Sequence, residues 1–407
     1  MNHGPRRQYS KCLVTGAVVI VAAACGAHAQ DVADSDAEYI KRFEERYPPV
    51  ETAPSLEEYA SAARYDELHM GDNLQRAIEK ASNDQGGIAW GLSSWMMSVN
   101  DMYRVTRNEK YLDANLDCIR AVVRVRDDKC NVALWTGVVA PAWGSDKYAQ
   151  RGRAVFGVHT GMITFPMLDF LRLVEQNTAF RQKLGEEFEE IRLCAVAALA
   201  FHDRQWREGP GPDEGHYIML DQEDGTDGKP KPGNRLSALG RALWTSWKLS
   251  GDLVHRDRAR AIGRYIRNRL TPSPDGAFYW SYWLPEQPAT APAPKEAIRG
   301  EDRSHAGLTI ALPILLAQDG EIFTPEDMKR LANTVMLGLG RLGNGIILGD
   351  VTGSPASSPQ YVGAPTNWLP LAQYAPEVRS RILPFYLRYR PVPSPRELAA
   401  LLVDGTR

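Results

Sequence analysis

The strongest constraint on the fold is a weak repeat of helix pairs along the chain. Segments that are apolar on nearly all sides alternate with segments that carry a one-sided apolar stripe. The predicted apolar helices span about 88–105, 155–175, 234–249 and 304–318, and the predicted one-sided helices span about 109–126, 179–206, 253–269 and 325–341. Helices that are apolar on all sides need an outer layer of helices to cover them. The pattern therefore predicts an all-α toroid, (α/α)n, with six or seven helix pairs and little sheet.

Long connections are predicted to lie on one rim of this toroid. The inner helices begin roughly 60 to 80 residues apart, more than two helices need, and the excess falls in residues 127–153, 208–233 and 272–300. Each of these connections leads from an outer helix to the next inner helix, so all of them return to the same side. Long loops on a rigid scaffold commonly carry binding residues. We therefore expect a catalytic cleft on this rim and, since no linker interrupts the pattern, a single domain over residues 30–407.

Residues 1–29 have the composition of a signal peptide. A basic start is followed by a short apolar run over 13–24 and by a small-x-small cleavage site at Ala27–Ala29. The apolar run is too short for a membrane span. We therefore expect an exported protein, periplasmic or extracellular. A lipoprotein anchor at Cys25 is the alternative, although the bulky aliphatic residue usual three positions before the cysteine is missing.

Composition and missing motifs exclude several function classes. A net charge of −2 argues against a nucleic-acid binder, whose affinity depends on neutralising phosphates. The chain has no phosphate-cradling loop, no His-Glu-x-x-His zinc motif and no Gly-x-Ser-x-Gly elbow. We therefore expect no metal and no cofactor. Cys118, Cys130 and Cys194 are too few for a disulfide scaffold; one bridge is the alternative, and buried free thiols are expected.

Polar residues mark four predicted starts of inner helices. These are Gly157–Gly161, Gly233–Leu236, Gly300–Leu308 and Thr366–Trp368. In the third, Asp302 or Ser304 can cap the helix, and Glu301 suits the helix dipole. Capping does not explain Arg303, whose charge is unfavourable at a helix N-terminus, or His305, which stands beside an apolar run. We therefore predict that both belong to a functional site.

Four positions with histidine, tyrosine or asparagine are predicted at the same rim. His159 lies between two glycines, which indicate close approach by a ligand or by another backbone, although a buried histidine bonded to a carbonyl is the alternative. His216 and Tyr217 follow a turn-rich stretch, where Tyr217 serves either as a phenolic acid or base or as loop packing. Asn234 is either a site residue or a helix cap.

Histidine, tyrosine, asparagine and arginine together suit β-elimination at a uronic acid. The C5 proton becomes acidic once its carboxylate is neutralised, which arginine, asparagine or protonated histidine can do. A tyrosine or neutral histidine then removes the proton, and a tyrosine protonates the leaving oxygen. The predicted catalytic residues are His159, Tyr217, Asn234, Arg303 and His305. The residues predicted to bind the anionic polysaccharide are Trp90, Trp143, Arg235, Tyr279, Tyr282, Trp283 and Asn367.

These features resemble the toroidal polysaccharide lyases, most closely polysaccharide lyase family 38, whose members cleave glucuronan or alginate. The resemblance rests on the His159 helix, the loop at 216–217 and the aromatic segment that precedes 301–308. It implies metal-independent elimination with His159 and Tyr217 as the proton-transfer pair. The other three predicted catalytic residues would then surround the substrate carboxylate.

Other functions fit the same residues. A toroidal glycoside hydrolase needs two carboxylates that flank the scissile bond, and the available acids are Asp213, Glu214, Asp221, Glu301 and Asp302. No predicted inner helix begins with an isolated aspartate, which weighs against this alternative. A uronosyl C5-epimerase shares the proton abstraction. A noncatalytic glycan-binding protein would use the same aromatic residues.

Overall fold

The computed structural model describes residues 35–220, 227–360 and 365–405, and these residues are mostly helical. The predicted signal peptide, Cys25 and Asp221 lie outside the described residues. Within the described ranges, no helix has the length and apolar character to cross a membrane.

The secondary structure consists of many helices and two short strand pairs. The α-helices are α1 (Asp36–Arg46), α2 (Leu56–Tyr59), α3 (Ala62–His69), α4 (Asp72–Glu79), α5 (Ser93–Thr106), α6 (Lys110–Arg124), α7 (Asp127–Cys130), α8 (Gly157–Glu175), α9 (Thr178–Leu184), α10 (Glu187–Ala200), α11 (Gly233–Ser250), α12 (Leu253–Arg267), α13 (Arg303–Thr309), α14 (Ala311–Gln318), α15 (Pro325–Thr334), α16 (Glu377–Tyr389) and α17 (Pro395–Gly405). The π-helical turns are Ile88–Leu92 and Val335–Leu339, and the 3-10 segments are Asp203–Gln205, Lys295–Ala297 and Pro365–Gln373. The strands are β1 (Trp206–Glu208), β2 (Gly215–Tyr217), β3 (Thr271–Pro272) and β4 (Phe278–Tyr279).

Six inner segments of the described chain form a closed ring. In order around the ring they are α5, α8, α11, the pair α13 and α14, the 3-10 segment Pro365–Gln373, and α17, which packs back against α5. The helices α6, α10, α12, α15 and α16 cover the first five segments from outside, and α3 contacts α17. The predicted (α/α)n toroid is confirmed, and its described part contains six helix pairs.

Close packing between inner helices explains two of their glycines. A Cβ atom on Gly161 of α8 would lie 2.4 Å from the carbonyl carbon of Ala238 in α11. A Cβ atom on Gly240 of α11 would lie 2.4 Å from the Leu312 side chain in α14. Both contacts are far shorter than an ordinary van der Waals approach. Gly161 therefore serves the approach of another backbone, which was one of the two possibilities for the glycines beside His159.

Two predicted helices are interrupted. The predicted helix over 304–318 is divided between Thr309 and Ala311, because Pro313 has no N–H to donate to the Thr309 carbonyl and its ring crowds that carbonyl. The predicted helix over 179–206 is divided at Gly185, whose φ of 57° ends α9.

The four strands lie in the long connections. β1 pairs antiparallel with β2, so that Trp206 stands opposite Tyr217, and β3 pairs antiparallel with β4, so that Thr271 stands opposite Tyr279. The sheet content of the described residues is therefore confined to two small hairpins, as the helix-pair pattern predicts.

The three cysteines of the described chain are free. Cys118 and Cys194 are buried, and burial raises the pKa of both thiols. Cys130 is exposed, which differs from the expectation of a buried thiol, because it ends the one-turn helix α7 in a surface connection.

Candidate functional site

His159 lies in the first turn of α8 and is enclosed by aromatic rings. Its ring centroid is 5.4 Å from that of Trp90, 5.8 Å from that of Tyr148 and 5.2 Å from that of Phe156. Trp90 belongs to the π-helical turn that precedes α5, and Tyr148 belongs to the long connection at 127–153. The starts of the first two inner helices therefore meet at His159.

The hydrogen bonds of Asn83 define the protonation of His159. The Asn83 Oδ1 accepts from the Ala89 N–H at 3.2 Å, which leaves the Asn83 Nδ2 to donate to His159 Nδ1 at 3.3 Å. Burial, together with the positive charges of Arg235 and Lys147, lowers the pKa of His159 to about 3. The neutral ring therefore carries its hydrogen on Nε2, which is buried and has no partner. His159 presents a hydrogen-bond donor, and it lacks the free basic nitrogen that the proton-transfer prediction required.

His305 forms a carboxylate–imidazole pair at the start of α13. The Asp302 carboxylate caps the helix by accepting from the Ser304 and His305 backbone amides, and it also accepts from His305 Nδ1. Burial opposes ionisation of Asp302, but these hydrogen bonds hold the pKa of its carboxyl below the ordinary value. The His305 side chain is 43% exposed. With hydrogen on Nδ1, the neutral ring keeps a lone pair on Nε2, which suits a general base.

Glu301 is a buried carboxyl directly before this pair. Its Oε2 accepts from the Trp280 indole N–H at 2.5 Å and from the Thr309 hydroxyl at 2.7 Å. Burial raises the pKa of Glu301 to about 8. Because both donors meet Oε2, the proton of the neutral carboxyl resides on Oε1, which is buried without a partner. Glu301 is therefore mostly protonated at neutral pH, and it does not share the capping role of Asp302.

Several inner segments carry, near their starts, a buried polar atom that has no hydrogen-bond partner. A Cβ atom on Gly233 would lie 3.1 Å from Thr309 Cγ2, so the start of α11 lies against the side chain that holds Glu301. Trp280 stacks on Trp368 with ring centroids 6.2 Å apart. Four inner segments contribute, at or just before their first turns, a buried polar atom that lacks a partner; these atoms are His159 Nε2, Asn234 Oδ1, Glu301 Oε1 and Trp368 Nε1. We call these four atoms the rim cluster.

Tyr217 is not presented to a substrate. Its side chain is 1% exposed, packs against Trp206 with ring centroids 5.1 Å apart, and is hydrogen-bonded to Arg258. Burial raises the pKa of Tyr217 to about 12. The structure therefore places Tyr217 as loop packing, and a phenolate at this position is unfavourable near neutral pH. His216 is also buried, beside Tyr265.

Arg303 is buried against the segment at 347–360. Its side chain is 2% exposed, and the guanidinium donates to the Tyr39 hydroxyl and to several backbone carbonyls, those of Ile347, Leu348, Pro359 and Gln360. These acceptors outweigh the unfavourable position of a cation at a helix N-terminus. Arg303 therefore ties α13 to α1 and to the segment at 347–360, and it is not in a position to neutralise a substrate carboxylate.

Some of the predicted sugar-stacking aromatics are exposed and others are structural. Trp90 and Trp283 are 41% and 42% exposed, and Tyr282 packs edge-on against His305 at 5.1 Å. Trp143 is buried and donates to the Val122 carbonyl, and Tyr279 is buried and donates to Asp275, so both hold loops in place. Tyr148, which is 38% exposed, was not predicted. Only its place in the long connection at 127–153 could have indicated it.

The two remaining predicted binding residues lie on different parts of the ring. Arg235 is half-buried in the first turn of α11, near enough to His159 to lower its pKa. Asn367 is half-buried in the 3-10 segment Pro365–Gln373 and lines a central cavity of the ring.

The acids proposed for a hydrolase do not form an opposed pair of free carboxylates among the described residues. Glu214 forms a fully buried ion pair with Arg269 at 3.1 Å and accepts from Asn268 at 2.6 Å. Asp213 occupies a turn with a positive φ of 54°. At the rim, Glu301 and Asp302 are consecutive residues with different partners. The described residues also contain no cluster of His, Cys, Asp or Glu suited to a metal ion.

The comparisons with known proteins concern the fold. No family model matches the chain, and no curated protein matches it. Among solved structures, a D-mannose isomerase is similar with a TM-score of 0.53 and 10% identity over 88% of this chain and 100% of that chain. The GH76A α-1,6-mannanase from Salegentibacter sp. HEL1_6 gives a TM-score of 0.48 and 13% identity over 84% and 98% of the two chains. An inactive variant of that mannanase in complex with α-1,6-mannotriose gives 0.48 and 14%.

These similarities do not identify a family. Nothing in them supports polysaccharide lyase family 38 specifically, because the similar structures belong to other (α/α)n enzymes. At such low identity, likeness to the isomerase is evidence for the fold alone. The described chain is therefore an (α/α)n toroid of the kind found in D-mannose isomerase.

Proposed function

We propose that the protein is an enzyme that cleaves a glycan by acid–base catalysis at the rim where the inner helices begin. The observation that carries this proposal is the adjacent pair of opposite groups at 301–305. Glu301 is a protonated acid, and His305 is an exposed imidazole whose Nδ1 is bonded to a carboxylate. Two titratable groups whose environments give them opposite proton-transfer roles are characteristic of acid–base sites.

Glu301 supplies the acid. A carboxyl with a pKa near 8 keeps its proton at neutral pH and donates it when negative charge develops on a leaving oxygen. Its free Oε1 and the neighbouring unpartnered atoms offer hydrogen bonds that the protein itself does not satisfy. Because Glu301 is closed off from solvent in this conformation, a substrate reaches it only after rim side chains move.

His305 supplies the base. Asp302 fixes the ring by accepting from Nδ1, and it stabilises the imidazolium that forms when Nε2 takes a proton. The exposed rings of Trp90, Tyr148 and Trp283 offer apolar faces on which sugar rings can stack. The rim thus combines stacking surfaces with both proton-transfer groups.

Hydrolysis is the first form of the reaction. His305 takes a proton from a water molecule, the water oxygen attacks the anomeric carbon, and Glu301 protonates the departing glycosidic oxygen. Hydrolysis needs no cation to neutralise a substrate carboxylate. Arg303, which was predicted to be that cation, already donates its hydrogen bonds to backbone carbonyls. A toroidal glycoside hydrolase was the leading alternative from sequence.

Elimination at a uronate is the second form, and the neutral donors of the rim cluster favour it. His305 would then take the C5 proton, while His159 Nε2–H donates to the carboxylate and Glu301 protonates the leaving oxygen. A buried neutral donor can stabilise such developing charge.

The deciding experiment offers the enzyme, treated with chelator, a panel of neutral mannans and uronate polymers. New reducing ends without ultraviolet-absorbing product support hydrolysis, and unsaturated product supports elimination. A uronate polymer whose C5 configuration changes without cleavage would indicate an epimerase. Binding without turnover of any polymer would overturn the enzymatic proposal. Glu326→Gln, an exposed carboxylate on α15, serves as the matched control for Glu301→Gln.

A further inference from the structure

A cavity of about 490 Å³ lies inside the ring. It is lined by the middle and C-terminal turns of α5, α8 and α11, by α14, by the 3-10 segment Pro365–Gln373 and by α17. Arg107, Gln176 and Gln318 of its lining are exposed, so the cavity reaches solvent where the inner helices end. None of the proton-transfer groups at 301–305 lines it.

The charged lining of the cavity is unbalanced. Five arginines line it, namely Arg104, Arg107, Arg172, Arg241 and Arg396, against three aspartates, Asp101, Asp169 and Asp404. Each aspartate already has an arginine partner: Asp101 pairs with Arg104 and Arg396, Asp169 with Arg104, and Asp404 with Arg379. The lining therefore has more positive charge than its carboxylates neutralise.

Arg241 is the most deeply buried of these cations. It is 8% exposed, and its Nε has no hydrogen-bond partner. Its guanidinium lies over the Phe165 ring at 4.4 Å and has Nη2 3.3 Å from the Met162 sulfur. Burial, and then the neighbouring Arg396, lower the pKa of Arg241 to about 9, so it remains charged at neutral pH.

An aromatic ring and a thioether sulfur do not replace the hydrogen bonds that water makes with a guanidinium. A buried charge ordinarily requires both an opposite charge and hydrogen bonds, and an uncompensated one is strongly unfavourable. Asp169 is near enough to favour the charged form of Arg241 but is bonded to Arg104 and Asn100 instead. No carboxylate of the described residues is therefore hydrogen-bonded to Arg241.

A buried hydroxyl lies in the same cavity. Thr366 lines the cavity from the 3-10 segment, and its side chain lies beside the Tyr386 hydroxyl, which also accepts from the Thr366 backbone N–H. A hydroxyl can donate to an anion that Arg241 binds. Arg241 and Thr366 therefore bring a charged donor and a hydroxyl donor to the same cavity.

We propose that this cavity is a binding site for a small oxyanion, a carboxylate or a phosphate group, held by Arg241 and Thr366. The guanidinium fork matches both groups in geometry. The apolar lining, which includes Phe165, Ile314 and Leu369, accommodates the uncharged body of a ligand that carries the anion. The site is separate from the proposed catalytic rim and does not depend on the proposed reaction.

The test measures binding of inorganic phosphate and of glucuronate to the full chain by titration calorimetry at low chloride. Arg241→Gln should weaken the favoured anion roughly 10- to 100-fold, as expected for a lost charge-assisted hydrogen bond. Arg241→Lys keeps the charge without the fork and should lie between wild type and Arg241→Gln. Tighter phosphate identifies a phosphate ligand, and tighter glucuronate identifies a carboxylate ligand.

Control variants separate this site from the rim. His305→Gln should bind the anion with wild-type affinity, and Arg192→Gln, a surface arginine of α10, should do the same. If Arg241→Gln does not fold, Thr366→Val provides the decision, because it removes only the hydroxyl and should weaken binding several-fold. Wild-type affinity in Arg241→Gln and Thr366→Val, or no binding of either anion by the wild-type chain at millimolar concentration, would overturn the proposal.

Discussion

The rim and the cavity of the inner ring differ in how they hold buried polar groups. At the rim, where the helices begin, the buried groups His159 and Glu301 are neutral, because burial shifts the pKa of each toward its uncharged form. In the cavity, the groups are arginines and aspartates that form ion pairs, except that Arg241 has no carboxylate partner. Neutral groups with unmet hydrogen bonds suit proton transfer, whereas fixed charges suit the holding of an ion. The same scaffold thus supports two kinds of chemistry.

The largest expected effect comes from removing Glu301, the proposed acid at the rim. Glu301→Gln keeps the shape of the side chain and the acceptor for Trp280, but it cannot donate an ionisable proton. Turnover of the substrate identified by the polymer panel should fall roughly 100- to 10,000-fold, the usual contribution of general acid catalysis. Thermal unfolding at about pH 4, where Glu301 is mostly protonated in both the folded and the unfolded chain, should change little. Activity near the wild-type level would show that the buried carboxyl of Glu301 is structural.

His305→Gln tests the base in the same way. Turnover should fall by a similar or smaller factor, on the order of 100-fold, because the Asp302 cap of α13 remains. Asp302→Asn should give a smaller loss, since the ring stays but its orientation and tautomer are no longer fixed by a carboxylate. If both variants were as active as the wild type in initial-rate assays, the proposal that His305 is the base would be wrong.

Arg303→Met should change stability rather than chemistry. It leaves several buried carbonyls without a donor, so the free energy of unfolding should drop by about 3 kcal/mol in urea titrations. The turnover number of the folded fraction should stay near wild type. A variant that is stable but inactive would return Arg303 to the catalytic residues.

The pH dependence of stability distinguishes the two neutral groups. Glu301 binds its proton up to about pH 8 when folded but ionises near its ordinary value of 4.5 when unfolded, so it lowers stability as pH rises between those values. His159 has a pKa of about 3 when folded and 6.5 as its ordinary value, so its contribution to stability is lost as pH falls below 6.5. Glu301→Gln should therefore flatten the decline between pH 4.5 and 8 in urea denaturation. An unchanged slope would show that Glu301 is already ionised in the native protein.

The smallest expected effect concerns the sugar-stacking surface. Trp283→Ala should raise KM about two- to tenfold, in keeping with the loss of one aromatic contact, and leave kcat largely intact. Trp143→Ala should instead destabilise the fold, because that ring is buried and bonded to Val122. A reversal of these two outcomes would mean that the exposed and buried aromatics have been assigned the wrong roles.

The periodicity of the sequence predicted the helical scaffold, but it did not predict the direction in which individual side chains point. The apolar pattern placed α5, α8 and α11 within a few residues because the burial of whole helix faces is repeated many times along the chain. Arg303 and His305 are two positions apart, and a helix turns them about 200° from one another, so Arg303 is buried against the loop at 347–360 and His305 is exposed. These directions depend on neighbours in the folded chain, and the pattern of residue types does not show which residues those neighbours are.

The role of Glu301 shows the same limit. From sequence it is one of two acids at a helix start, and both fit the helix dipole. Its pKa is raised by enclosure in the folded chain, and the hydrogen bonds from Trp280 and Thr309, which lie 21 and 8 positions away, oppose that rise. Only the presence of an aromatic stretch shortly before 301–308 hinted at such an enclosure.

The position of α17 in the ring affects the order in which the molecule can be assembled. This last helix lies between the 3-10 segment and α5, and α3 lies against it. Nearby contacts also join distant parts of the chain, since Tyr59 donates to the Arg390 carbonyl and Tyr389 donates to Glu44. Ribosomal synthesis makes the early helices long before their final neighbours exist. Until residues 395–405 have been made, the flank of α5 that packs on α17 has no partner, so completion of the ring is a late step in which aggregation competes with folding.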